Sequence, residues 1–214
     1  RGLEHPRWLL VLPNGDVLVA ESSTKPGRGG GIEGMIRNWM QRRAGAIGES
    51  ADRITLLRDS DGDGDVDERH VFAENLNQPF GMLLLNGSLY VGNTDAVVRF
   101  PYTAGANSVQ GAPETVLELP HNEPKNGHWT RDLIASPDGS KIYVSVGSVS
   151  NVGDDGMNVE EGRAAIWEFN PDGSEARVFA SGLRNPIGMS REPVHGGLWV
   201  VVNERDEIGS DLVP

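Results

Sequence analysis

The chain has 214 residues, and its 31 acidic against 19 basic side chains give a net charge of −12. That balance argues against nucleic acid and anionic membrane surfaces as partners, and the absence of cysteine excludes disulfides, thiolate metal sites and thiol nucleophiles. No apolar run approaches the 18 or so residues of a membrane-spanning helix, while 28 glycines and 13 prolines suit a chain of many turns.

Strand signals dominate from the first residues onward. Short runs rich in Val, Ile, Leu, Tyr and Trp, separated by turn residues, predict strands over Trp8–Leu12, Val17–Glu21, Ile54–Arg58, Phe80–Leu85, Ser88–Gly92, Ala96–Phe100, Thr115–Leu119, Asp132–Ser136, Lys141–Val146, Ala165–Phe169, Ala176–Ala180 and Leu198–Asn203. One unit recurs four times: a strand, a tight turn and a second apolar strand. The turns are Asn14-Gly15, Asn86-Gly87, Asp138-Gly139 and Gly196-Gly197, spaced 72, 52 and 58 residues apart. Asn-Gly and Asp-Gly favour the positive φ that closes a hairpin. Propeller blades repeat at roughly 40–50 residues, with insertions mapping to loops. The expected fold is therefore all-β, a single partial β-propeller of three to four blades spanning residues 1–214.

The longest spacing contains an insertion, residues 25–52. It opens Gly-rich and then predicts a helix over about Ile32–Arg43, with Ile32, Met35, Ile36, Trp39 and Met40 on one apolar stripe. Packing of that stripe on a face of the propeller is expected; a partner-binding helix is the alternative. Three blades do not close a ring, so missing blades or a second chain are expected to complete it. The chain opens at Arg1 without a Met or a signal peptide, and both ends are expected to be cut from something longer.

Four motifs carry chemistry. Residues 59–67 read D-x-D-x-D-G-x-x-D, the alternation of oxygen ligands with a sharp Gly turn that a hard Ca²⁺ ion requires. Asp59, Asp61, Asp63 and Asp67 would give carboxylates and Asp65 its carbonyl. His70 stands where an EF-hand has its bidentate Glu, so this is an EF-hand-like loop between strands; a solvated acidic turn is the alternative. Asn126–Leu133 places His128, Arg131 and Asp132 at a strand entrance, where a His can serve as general base or simply as a structural hydrogen-bonding group. Ser181–Gly188 carries Arg184, a fixed cation, and Asn185, both donor and acceptor; a turn-and-cap segment is the plainer reading. Asn203–Asp211, with Glu204 and Arg205, is a dense charged loop. The segments before the hairpin units, including His5–Arg7 and Asn75–Gly81, hold equivalent places in successive repeats, so all are expected at one channel mouth.

GHWTRDL, PDGSKIYVSVGS, NPDG, SGLRNPIG and LWVVVNERDE, with HPRWLLVLPNGDVLVAES and RITLLRDSDGDGDVDE before them, resemble the L-sorbosone dehydrogenase and soluble aldose (glucose) dehydrogenase family over almost the whole chain. The resemblance implies a six-bladed propeller that binds pyrroloquinoline quinone (PQQ) beside Ca²⁺ and oxidises a small sugar. It implies His128 as the base, with Arg131 and Asp132 beside it. Arg184 and Asn185 are implied as PQQ contacts, with Arg205 near the cofactor. Glu204 is implied at an active-site calcium held largely by backbone carbonyls. It leaves the electron acceptor unspecified and suits a periplasmic or secreted setting. The family's later blades supply further basic residues for PQQ, so this piece alone is expected to be inactive. Two other readings stay open: a calcium-dependent lactonase-type hydrolase, with Asp132, Asn203 and Glu204 as metal ligands, and a non-catalytic interaction module.

Overall fold

The computed structural model describes residues 2–25, 35–36, 39–40, 43–44, 49–122 and 126–205. Within them the chain forms three four-stranded antiparallel meanders and one further hairpin. The first is β1 (Pro6–Val11), β2 (Val17–Glu21), β3 (Arg53–Arg58) and β4 (Glu68–Ala73). The second is β5 (Met82–Leu85), β6 (Ser88–Gly92), β7 (Ala96–Pro101) and β8 (Glu114–Glu118). The third is β9 (Leu133–Ala135), β10 (Ile142–Val146), β11 (Ala165–Phe169) and β12 (Arg177–Ser181), and the hairpin is β13 (Asn185–Arg191) with β14 (Leu198–Asn203).

The opening strands β1, β5, β9 and β13 touch one another in succession. This radial stacking is that of propeller blades: three blades and the first hairpin of a fourth. The central strands β2, β6 and β10 are buried nearly throughout, and β6 and β10 each lie between neighbouring blades. Leu18, Ala20, Ile54 and Leu56 pack with Met82, Leu89 and Val91 between the first two blades. Tyr90 and Val97 pack with Leu133, Ile142, Val144 and Phe169 between the second and third. Burial of each such aliphatic side chain contributes roughly 1.5–3 kcal/mol.

The turn chemistry follows the sequence. Leu85 pairs with Ser88, leaving Asn86 and Gly87 as a two-residue loop with φ of 49° and 74°, the double positive φ that matches strand twist. Two strands escape the sequence pattern. Glu68–Ala73 begins Glu-Arg-His because β4 is an outer strand, and its first four residues are half-buried or exposed. Asn185–Arg191 contains Pro186 and Gly188, and its register shifts between them, so β13 reads as a loop although it pairs with β14 along its length.

The helix expected over about Ile32–Arg43 lies partly outside the described residues. Met35, Ile36, Trp39 and Met40 are helical but all exposed. The expected packing of this stripe against the propeller is thus not found, since no blade surface covers these four side chains.

Candidate active site

Blade stacking brings the segments that open each blade to one end of the molecule. Arg7 of β1 lies over the Trp129 ring with its Cζ 5.6 Å from the centroid, and Phe80 meets Trp129 edge-on at 6.2 Å. Trp129 donates its indole N–H to Thr24 Oγ1 at 3.1 Å. Three blades thus share one aromatic and cationic contact, and His128 sits next to it.

His128 is half-buried, and its Nδ1 lies 2.8 Å from the carbonyl oxygen of Ser148 at the end of β10. A carbonyl only accepts, so Nδ1 carries the proton and Nε2 of the neutral ring carries the lone pair. Ser148 Oγ lies 3.0 Å from the same nitrogen and donates its own proton to the Ser150 carbonyl at 2.7 Å. It therefore presents a second acceptor to Nδ1–H. The Glu160 carboxylate anchors this loop by accepting the N–H groups of Val149 at 2.8 Å and Ser150 at 3.2 Å.

Gly147 fixes the approach of the neighbouring blade. A Cβ there would run into His128 Cβ and would lie 2.7 Å from Asn185 Oδ1. His128 and Asn185, 57 positions apart in the chain, therefore close on the same bare backbone. Asn185 is 8% exposed, and its Oδ1 has no hydrogen-bond partner among the described residues. The Arg184 carbonyl accepts the Ser148 N–H at 2.8 Å. The Arg184 guanidinium donates to the Asn151 carbonyl at 3.1 Å, to the Asn203 carbonyl at 3.2 Å and to the Glu204 carbonyl. A cleft of about 600 Å³ opens beside this group, lined in part by Arg163, Arg184, Glu204 and Arg205.

Not every residue expected at the mouth faces it. Arg131 is wholly buried behind His128, donating to the carbonyls of His128 and Thr130 at 2.9 Å and of Pro120 at 3.3 Å. Burial, reinforced by the nearby Arg163 charge, lowers its pKa to about 9. Asp132 is also buried, with its two oxygens accepting Leu133 N–H at 2.9 Å and Met189 N–H at 2.8 Å. It joins the third blade to the fourth. Glu204 and Arg205 are exposed at the cleft rim. Because the Asn203 and Glu204 carbonyls take hydrogen bonds from a guanidinium, a Ca²⁺ ion on them does not fit this arrangement. Among the described residues neither Asp132 nor Glu204 belongs to a group of three His, Asp or Glu side chains close enough together to hold a metal.

The acidic loop lies elsewhere, between β3 and β4. Carboxylate oxygens of Asp59, Asp61 and Asp67 come within 4.8 Å of one another, while Asp63 and Asp65 stand outside that group. Asp59 accepts the N–H groups of Gly62 at 2.7 Å and Gly64 at 2.9 Å, which hold its pKa below the usual carboxylate range.

Sequence reasoning missed Gly147, Ser148, Glu160 and Arg163. Gly147 and Ser148 sit directly after the wholly buried strand Ile142–Val146, where a propeller exposes its loops. Arg163, two residues before the largely buried strand Ala165–Phe169, is a charge close to core residues, which is the one local signal it gave.

A sequence model of the TrAA12-like family matches residues 46–213. A Hypocrea jecorina protein described as a pyrroloquinoline quinone-dependent sugar dehydrogenase is 23% identical over 218 residues, covering 97% of this chain and 45% of that protein. The holo form of the pyranose dehydrogenase PQQ domain from Coprinopsis cinerea aligns with a TM-score of 0.69 at 21% identity, over 96% of this chain and 45% of that one. The calcium structure of the Trichoderma reesei carbohydrate-active enzyme of family AA12 aligns with a TM-score of 0.71 at 20% identity, over 96% and 47%. The two structures speak to the fold. The chain spans about half the length of these relatives.

Asp132 gives the site a pH signature. Burial raises its pKa to about 6, outweighing the two N–H groups that favour the anion. Between about pH 4 and pH 6 the folded chain holds a proton that the unfolded chain has released, so this contribution to stability is lost as pH rises through that window. Urea unfolding at successive pH values should show wild type losing roughly 2–3 kcal/mol relative to Asp132→Asn between those limits. Parallel profiles for the two proteins would contradict the assignment.

Proposed function

The chain belongs to the TrAA12-like family, and from that premise we propose that it forms the part of a PQQ-dependent sugar dehydrogenase that carries the proton acceptor and one wall of the cofactor site. The observation that supports this most is the convergence of His128 and Asn185 on Gly147, beside a cleft lined in part by three arginines. The substrate we propose is an aldose or related sugar of the sorbosone or glucose kind, and a periplasmic or secreted setting suits it.

The residues fit the cofactor. PQQ is a planar tricarboxylate, and Asn185 offers a buried amide whose oxygen is unpartnered among the described residues, while Arg184 and Arg163 bring positive charge to a chain that is acidic overall. When bound, PQQ supplies the two-electron acceptor for the sugar. The rest of the chemistry falls to side chains. His128, held as the Nδ1–H tautomer by Ser148, would present the Nε2 lone pair to the sugar hydroxyl and take its proton. A base so placed typically contributes ~10²–10⁴-fold in rate. Asn185 would help to hold the quinone from a buried position, where little freedom remains to be lost. Arg184 holds the β13 and β14 ends together.

For the acidic loop we propose a structural Ca²⁺ site on Asp59, Asp61 and Asp67. Three carboxylates within 4.8 Å repel one another unless a cation lies between them.

Two measurements follow. Titration of the chain with PQQ, read by quinone absorbance, should saturate, and Asn185→Ala should weaken binding about tenfold, the equivalent of one hydrogen bond of about 1.4 kcal/mol. No saturable binding, or equal binding by the variant, would sink the cofactor assignment. Separately, Ca²⁺ should raise the melting temperature, by the equivalent of about 2.7 kcal/mol at a hundredfold excess over Kd, and Asp61→Asn should abolish most of that rise. A melting temperature indifferent to Ca²⁺ and chelator alike would count against the loop site.

A further inference from the structure

Arg163 enters the third blade between the 3-10 turn Met157–Glu160 and β11, and its guanidinium points inward with 3% of the residue exposed. Its Nε donates to the Gly147 carbonyl at 2.9 Å, and its NH2 group donates to the Ser148 carbonyl at 3.3 Å and to the His128 carbonyl at 3.4 Å. Those three carbonyls belong to the two segments that face each other across the imidazole. One of them, Ser148 O, is the acceptor of His128 Nδ1–H.

Three further facts show that this placement is built rather than incidental. All the hydrogen bonds of the Arg163 guanidinium go to backbone carbonyls among the described residues, with NH1 buried and unpartnered. Burying a guanidinium this way costs free energy, and burial lowers its pKa to about 10. The next residue, Ala164, adopts φ of 50°, a left-handed conformation that a residue with a Cβ avoids. The same strained residue offers its carbonyl to the Leu183 N–H at 2.9 Å, just ahead of Arg184 and Asn185. The backbone is thus bent against preference at the point that turns Arg163 towards His128 and ties β11 to the entrance of β13.

We propose that Arg163 is a positioning residue for His128: by clamping the Gly147, Ser148 and His128 carbonyls it fixes the acceptor that holds the imidazole as the Nδ1–H tautomer. The lone pair is thereby kept on Nε2, the nitrogen to which the proposed function gives the sugar's proton. An arginine suits the task because its fork reaches several carbonyls at once from a single fixed plane. An aliphatic side chain of similar length fills the space and leaves the carbonyls unclamped. The proposal rests on the reading of His128 as the proton acceptor, yet its physical content, the tautomer, is measurable without turnover.

The test is the two-bond ¹H–¹⁵N spectrum of the ¹⁵N-labelled chain at about pH 8, above the ordinary histidine pKa. The His128 ring signals are identified by their disappearance in His128→Gln. In wild type the protonated nitrogen should be Nδ1. In Arg163→Met the proton should shift largely to Nε2, and Arg163→Gln, which keeps one donor group, should give an intermediate mixture. Should the Met variant fail to fold, the Gln variant is read alone. A wild-type ring protonated on Nε2, a ring unchanged in a folded Arg163 variant, or unfolding of both variants would each overturn the proposal. The wider reading fails differently, if His128→Gln leaves sugar oxidation intact in the PQQ-loaded enzyme whatever the tautomer.

Discussion

The site depends on a missing methyl group. At Gly147 the backbone leaves β10 with no Cβ, and the space a Cβ would fill is occupied by His128 on one side and Asn185 Oδ1 on the other. Interiors are packed too densely to yield cheaply, and an inserted carbon typically costs 1–3 kcal/mol. Here the cost would fall on the separation of two blades. Because the glycine lets them close, a residue that opens β13 reaches the loop that bears the imidazole. The same principle recurs one blade earlier: a Cβ on Gly81 would lie 2.6 Å from the Arg131 carbonyl, which instead accepts the Gly81 N–H at 2.9 Å. Close backbone approach, made possible by glycine, sets the radial spacing of the blades and so the width of the mouth.

Charge is arranged around this packing in a way that the overall composition conceals. The chain carries −12 in total, yet Arg131 and Arg163 both bond the His128 carbonyl from inside, and Arg184 and Arg205 stand at the cleft. Hydrogen bonds from a charged donor contribute about 1.5–3 kcal/mol each, more than neutral ones, so carbonyls can hold a guanidinium where no carboxylate does. Five of the acidic side chains lie away from the cleft, on the exposed loop between β3 and β4. An anionic quinone would thus meet positive potential at one end of an acidic molecule, and a cation would meet the opposite at the outer hairpin.

Much of the scaffold could be read from residues alone, because its signals are local. Asn86-Gly87 and Asp138-Gly139 announce hairpins, and Leu89–Val91 and, but for Ser145, Ile142–Val146 are apolar on both faces because both faces are covered. What failed was what depends on position in the stack. β4 begins with three polar residues because it is outermost, and β13 hides behind Pro186 and a register shift. The site divided along the same line. His128 and Asn185 stood out by residue type, and the structure does bring them together. Arg131 also stood out, and it lies behind the site with every donor it uses on a carbonyl. Arg163 gave almost no signal, since the direction of a side chain before a strand is set only when the third blade is packed. The apolar helical stripe had a clear period and nevertheless remained exposed at Met35, Ile36, Trp39 and Met40, for periodicity shows which residues share a face and not what covers it.

The central claim is that His128 and Asn185 belong to one ligand site although different blades supply them. The most direct measurement is a PQQ titration of the labelled chain in which the His128 ring and the Asn185 side-chain amide are followed separately by NMR. The account requires both sets of signals to shift with one common midpoint, while the amides of the Asp59–Asp67 loop stay still. Different midpoints for the two residues, or movement of one without the other, would contradict it.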